Sequence, residues 1–239
     1  MKTSFHLKRW AGWVSRSEVE GSGDQFSESL MVSDTPDVSV IPPMLRRRLN
    51  FLGKACAAQV LRVVSDNQQV PLVYCSRHGD IERTLSVLEE LAEDKLVSPM
   101  QFSLAVHNAI CGVLSIQLGN RSAVSALVSD NGGVVPVLLE AMGLLAENRA
   151  DSILCLISDL PLPEVYRDEN TPPDFSYAVS FVLSKSEGSR FSLSPVSDGD
   201  SSNASSDCPP VALIEYLDSA SIPHMDIVEN GCLWRLERV

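Results

Sequence analysis

The feature that most constrains this chain is a rhythm. Short apolar runs, too brief for helices, alternate with longer stretches whose apolar residues recur every three to four positions. Residues 152–157 read Ser-Ile-Leu-Cys-Leu-Ile, and a run of that length bounded by turn formers is a strand buried on both faces. Residues 70–75 and 123–128 also read as strands. Between them lie helical patterns. Pro42-Pro43 opens a run in which Leu45, Leu49, Leu52, Cys56, Val60 and Val64 predict one continuous helix. Over residues 80–96, Ile81, Leu85, Leu88 and Leu91 share a face, with Glu82, Glu89, Glu90 and Glu93 around it. Ser98-Pro99 breaks that helix; residues 102–118 are apolar, become helical in their second part and stop at Gly119-Asn120. Gly132-Gly133 precedes a further helix over 134–147. Strands alternating with helices in this order predict a layered α/β domain with a mainly parallel sheet.

The pattern then changes. An acidic, proline-rich segment (159–173) leads to a strand over 177–183, and residues 188–210 are dominated by Ser, Asp, Gly and Pro. Such a stretch is too polar to offset the entropy of ordering it, so it reads as a loop or linker. A helix (211–217) and a terminal strand (232–238) close the chain. The expected organisation is an α/β domain over 1–187, a linker over 188–210, and a C-terminal helix and strand, 211–239, packing on the same domain. Residues 21–37, polar and turn-rich, read as a surface excursion.

Lys and Arg number 19 against 31 Asp and Glu, a net charge of −12, which argues against nucleic acid as a partner. The one basic cluster, Arg46-Arg47-Arg48, reads as a solvated helix face. The first ten residues carry no apolar segment after their charges and no later run is long enough to span a bilayer, so a cytoplasmic location is expected. Six cysteines (56, 75, 111, 155, 208 and 232) are scattered, four of them in apolar segments, as in a reducing compartment. None has zinc-site spacing, and neither metal nor cofactor is expected.

No Gly-x-Ser-x-Gly elbow, Gly-x-Gly-x-x-Gly loop, phosphate-binding loop or His-Glu-x-x-His pair occurs. What remains is His107 and Cys111, four apart on one helical face, a spacing that would suit an activated thiolate. Apolar neighbours disfavour that thiolate, and a buried cysteine beside a structurally satisfied histidine is the simpler reading. His78, in a polar turn, could meet an anion or simply be solvated. The acidic pairs Glu89-Glu90 and Asp168-Glu169 read as solvated surface.

Five residues, Ser98-Pro99-Met100-Gln101-Phe102, resemble the serine-proline-aromatic segment of β-ketoacyl synthases in the thiolase-like superfamily. Residues 106–119 resemble the family's next helix, with Asn108, Gly112, Leu114-Ser115-Ile116 and Gly119 in order. Residues 47–64 resemble the preceding helix, and 73–91 the strand, glycine-bearing turn and helix that follow it. The resemblance covers residues 42–159 and, more weakly, 177–183. It implies half of a thiolase-like layered fold, the ketosynthase N-terminal half.

In active members the strand after that final glycine ends at a cysteine, whose thiol is activated by the following helix N-terminus. Here that position falls on Val128, and Ser129, Asp130 and Asn131 supply no thiol either. The family's two catalytic histidine motifs are absent; His224 is the only histidine beyond the strand. The chain thus resembles chain-length factors, in particular the truncated kind associated with bacterial aryl polyene synthesis. The resemblance implies a non-catalytic heterodimer subunit. Its partner would be a catalytic ketosynthase, and acyl carrier protein would be met through the complex. It also implies that Ala123, Val124, Ser125, Ala126 and Leu127 form the dimer contact. Met100, Gln101 and Phe102, with Thr84, Leu85 and Leu88, would line the partner's acyl tunnel. The alternatives are an acyltransferase using Cys111 and His107, and a solitary scaffold.

Overall fold

The computed structural model describes residues 2–15, 26–65, 67–167, 175–196 and 208–239. In chain order, β1 (Thr3–Val14) and β2 (Leu30–Val32) precede α1 (Pro43–Arg46), α2 (Phe51–Val63), β3 (Leu72–Cys75) and α3 (Ile81–Ala92). Then come α4 (Pro99–Leu104), α5 (Ala109–Leu118), β4 (Val124–Leu127), α6 (Val134–Ala146) and β5 (Ser152–Asp159). The chain finishes with β6 (Tyr177–Ser184), β7 (Ser189–Pro195), α7 (Pro209–Asp218), β8 (His224–Glu229) and β9 (Cys232–Arg238).

All strands join one sheet in the order β4-β3-β5-β6-β1-β7-β9-β8, with β2 alongside β1. β3 pairs in parallel with both β4 and β5, while β6 runs antiparallel to its neighbours β5 and β1. Four of the five core strands therefore point the same way, the mainly parallel core of the α/β class. Beyond β1 the sheet continues in antiparallel steps through β7, β9 and β8; β8 and β9 form a tight hairpin, while β6 and β7 run the same way on opposite sides of β1, the short link between them crossing at Gly188.

Alternation within β5 shows how the layers form. Ile153, Cys155 and Ile157 face a core shared with α6 and α7, and Leu154 and Leu156 face one shared with α2 and α5. The predicted continuous helix over 42–64 is broken: Asn50 is extended, and its side chain accepts from the Gly53 N–H (3.1 Å), capping α2. Part of the predicted linker is corrected as well. Ser189–Pro195 is the strand β7, with Phe191 and Leu193 buried against α7 while the intervening residues are polar, so half of a well-packed strand looks like low-complexity sequence. Residues 197–207 of that segment lie outside the described residues, as do Asp168 and Glu169.

The last three elements pack on the sheet. Val211, Leu213, Ile214 and Tyr216 of α7 are buried in the α6-side core together with Met225, Ile227 and Leu236 of the β8–β9 hairpin. Arg238 fixes this unit. Its guanidinium lies 4.4 Å from the Tyr216 ring centroid and donates to the Ile222 carbonyl (2.9 Å) and the Tyr216 carbonyl, placing a cation at the negative end of α7.

Candidate functional site

The turn from β4 into α6 carries the position that the sequence marks out. Val128 follows β4 directly and is 64% exposed. Beneath it the turn is tightly held. Ser129 is buried and donates its hydroxyl to Glu229 Oε1 (2.8 Å), while the Asn131 side-chain amide donates to the Val228 carbonyl, so both groups meet the β8–β9 hairpin. Gly132 and Gly133 have φ of +77° and +80°, values that favour glycine. Space allows little else, since a Cβ on Gly132 would lie 2.5 Å from Pro210 Cγ and one on Gly133 would fall on Cys75 Sγ. Burial pushes the Cys75 thiol up to about 12, helped by the charges of Asp159 and Glu229.

Asp159 organises the adjacent turn after β3. Fully buried at the end of β5, its carboxylate accepts from Ser76 Oγ (2.8 Å), Arg77 N (2.9 Å), His78 N (3.3 Å) and the Tyr177 hydroxyl (2.9 Å). The donors that would draw an external anion to His78 thus already serve an internal carboxylate. Nothing in the local pattern around His78 announces this. The only sequence signal is a charge closing the apolar run of β5.

The His107–Cys111 pair does not form a dyad. His107 Nε2 lies 3.0 Å from the Ser76 carbonyl and the ring packs on Tyr74, while Cys111 is buried with its thiol pushed up to about 12 by desolvation. The other proposed residues separate into two groups. Thr84, Leu85 and Leu88 of α3 lie in one unit with Met100, Gln101 and Phe102 of α4, because Thr84 Oγ1 hydrogen-bonds to the Ala105 carbonyl (3.1 Å) just past α4. Met100 and Phe102 are 63% and 61% exposed; Leu88 is exposed too, and Thr84, Leu85 and Gln101 are half-buried.

β4 forms the second group at the edge of the sheet, where it pairs only with β3. Ala123, Val124 and Ala126 are exposed, and Ser125 and Leu127 are half-buried, with Ser125 Oγ donating to Glu140 Oε1 (2.9 Å). α5 connects the groups and itself exposes Ile116. Apolar side chains thus emerge from α3, α4, α5 and β4 in succession, on an otherwise acidic protein. Among the described residues no cluster of three or more His, Cys, Asp or Glu could hold a metal, and no helix is long and apolar enough to cross a membrane.

A family model described as the β-ketoacyl synthase N-terminal domain matches residues 10–221. Among solved structures, one described as the ketosynthase ApeO in complex with its chain length factor ApeC from Xenorhabdus doucetiae matches with a TM-score of 0.74. Its identity is 21%, over 99% of this chain and all of that chain. The ishigamide ketosynthase/chain length factor matches with a TM-score of 0.69 at 11% identity, over 99% of this chain and all of that one. A β-ketoacyl synthase from Burkholderia phymatum STM815 gives 0.53 at 14% identity, over 77% of this chain and 56% of that one. No curated protein matches by sequence.

Proposed function

We propose, from the premise that this chain belongs to the β-ketoacyl synthase N-terminal-domain family, that it is a non-catalytic, chain-length-factor-like subunit which pairs with a catalytic ketosynthase and shapes its acyl or polyene tunnel. The observation that carries this reading is the set of exposed apolar side chains on α3, α4 and α5, together with the free edge of β4 and the exposed Val128 that follows it. Exposed apolar surface rimmed by polar residues marks an interaction site, and an unpaired strand edge is a template for a partner strand. Val128 in place of a nucleophile, without a thiol in the three residues that follow, supports the non-catalytic half of the reading. Valine cannot accept an acyl group. In this proposal Ala123, Val124, Ser125, Ala126 and Leu127 make the contact. Met100, Gln101 and Phe102 reach the partner's pocket, with Thr84, Leu85 and Leu88 behind them, and acyl carrier protein is served by the complex.

The test is reconstitution. The chain alone should take no acyl group from acyl carrier protein, and adding the ketosynthase should give condensation. The carbonyls of Ala123 and Leu127 face β3, so in this parallel ladder the Ala126 N–H points outward; Ala126→Pro removes that donor from the free edge and should abolish co-purification. Acylation of the isolated chain at Cys111 would overturn the reading, and a folded Ala126→Pro variant that still pairs would move the interface elsewhere.

A further inference from the structure

One recess lies outside every role assigned above. It opens where the start of α2, the start of α3 and the α4–α5 turn meet, and its interior is about 30 Å³. Leu49, Leu52, Leu104, Ile110 and Val113 give it apolar walls, and Arg48 and Arg83 stand at its lining with Asp80. Asp80 fixes Arg83: Oδ2 accepts from Arg83 Nε at 3.0 Å, and Oδ1 accepts from Asn50 Nδ2 at 2.7 Å and from the Arg83 N–H at 3.2 Å. The Arg83 guanidinium is therefore aimed, with its side chain only 17% exposed. Among the described residues neither its two terminal nitrogens nor the Arg48 guanidinium has an acceptor. Two cations face one carboxylate here, a local surplus of positive charge on a chain of net −12.

From this arrangement we infer a binding site for a small aliphatic carboxylate. The head group would be received by Arg83 and Arg48 and the tail would lie along Leu104, Ile110 and Val113. The chemistry follows from the lining. A guanidinium edge matches the two oxygens of a carboxylate, and apolar walls favour a hydrocarbon tail over a second polar end. His107 forms one side of the recess, its Nε2 engaged by the Ser76 carbonyl.

Sodium hexanoate is the probe, titrated into the isolated full-length chain and followed by methyl chemical shifts of Leu104, Ile110 and Val113. Saturable shifts confined to these residues are expected, with much weaker ones from hexanol, which keeps the tail and lacks the charge. Arg83→Gln should weaken hexanoate by about tenfold or more, the size of losing one charge-assisted hydrogen bond. Arg48→Gln, on an exposed side chain whose loss should leave the fold intact, should also weaken it. The inference fails if hexanoate gives no saturable shifts, if hexanol binds as well as hexanoate, or if a folded Arg48→Gln/Arg83→Gln variant binds unchanged. No ketosynthase is needed, so this outcome is independent of the pairing experiment.

Discussion

Gly133→Ala should destabilise the fold at the β4–α6 turn. Gly133 has φ of +80°, and a Cβ there would fall on Cys75 Sγ and lie 2.9 Å from Cys75 Cβ. A left-handed alanine costs about 1–2 kcal/mol, and forcing a methyl into a packed core costs about 1–3 kcal/mol. The two add to roughly 2–5 kcal/mol, a large share of the ~5–15 kcal/mol that holds a domain together. For a chain of this size each kcal/mol lowers Tm by about 2–4 °C, so the melt should fall by roughly 5–20 °C. Cys75→Ala in the same background removes the sulfur but keeps the 2.9 Å Cβ contact and the backbone strain, so it should recover only part of the steric cost and leave at least about 1–2 kcal/mol. Calorimetry of the parent, both single variants and the double variant reads all of this. A Gly133→Ala melt within about 2 °C of the parent would refute the packing argument, because the turn would then relax at almost no cost.

Three further outcomes are expected. Hydrogen bonds from Arg235, both 2.7 Å, hold the Asp226 carboxyl below the usual range against the opposing effect of burial. That stabilisation is present above the unfolded value near 3.9 and is lost as pH falls through the folded one, so Asp226→Asn should narrow the difference between urea midpoints at about pH 7 and pH 3. An unchanged difference would deny the pair any role. Native protein should show one fast thiol, the exposed Cys232, because the other five are buried; Cys232→Ser should remove it, and Cys111 reacting as quickly would contradict its burial. In the reconstituted pair, Thr84→Trp or Gln101→Trp should shorten the product and Phe102→Ala lengthen or blur it, whereas unchanged lengths in folded, partner-bound variants would leave only a stabilising subunit.

Legibility followed local pattern. β5 could be read because both of its faces are buried and its apolar run is nearly continuous, and α3 because its face recurs at helical spacing. β1 could not: Lys8 and Arg9 interrupt it beside the register shift between Leu7 and Arg9, so the central strand of the sheet looks like a charged leader. β7 was masked by alternating serines. β8 was hidden by polar His224, Asp226 and Glu229 between the buried Met225 and Ile227. The break at Asn50 is a capping choice that the wider apolar spacing concealed. At the candidate site, the order of motifs was enough to mark Val128. The bond from Ser129 to Glu229 joins residues 100 positions apart, beyond any local signal. The Arg83 recess was equally out of reach, because it needs the starts of α2 and α3 and the α4–α5 turn brought together.

The place of β1 also bears on how a ribosome delivers this chain. β1 can meet β2 early, but it also pairs with β6 and β7, which are made much later; His6, for example, waits for Ser184. At about 5–20 residues per second that wait is roughly 10–35 s. Throughout it the nascent protein carries a strand bearing Trp10 and Trp13 with neither β6 nor β7 yet available. Contacts so distant in sequence form slowly. Yield in a cell will therefore depend on what shelters β1 as much as on the stability of the finished sheet.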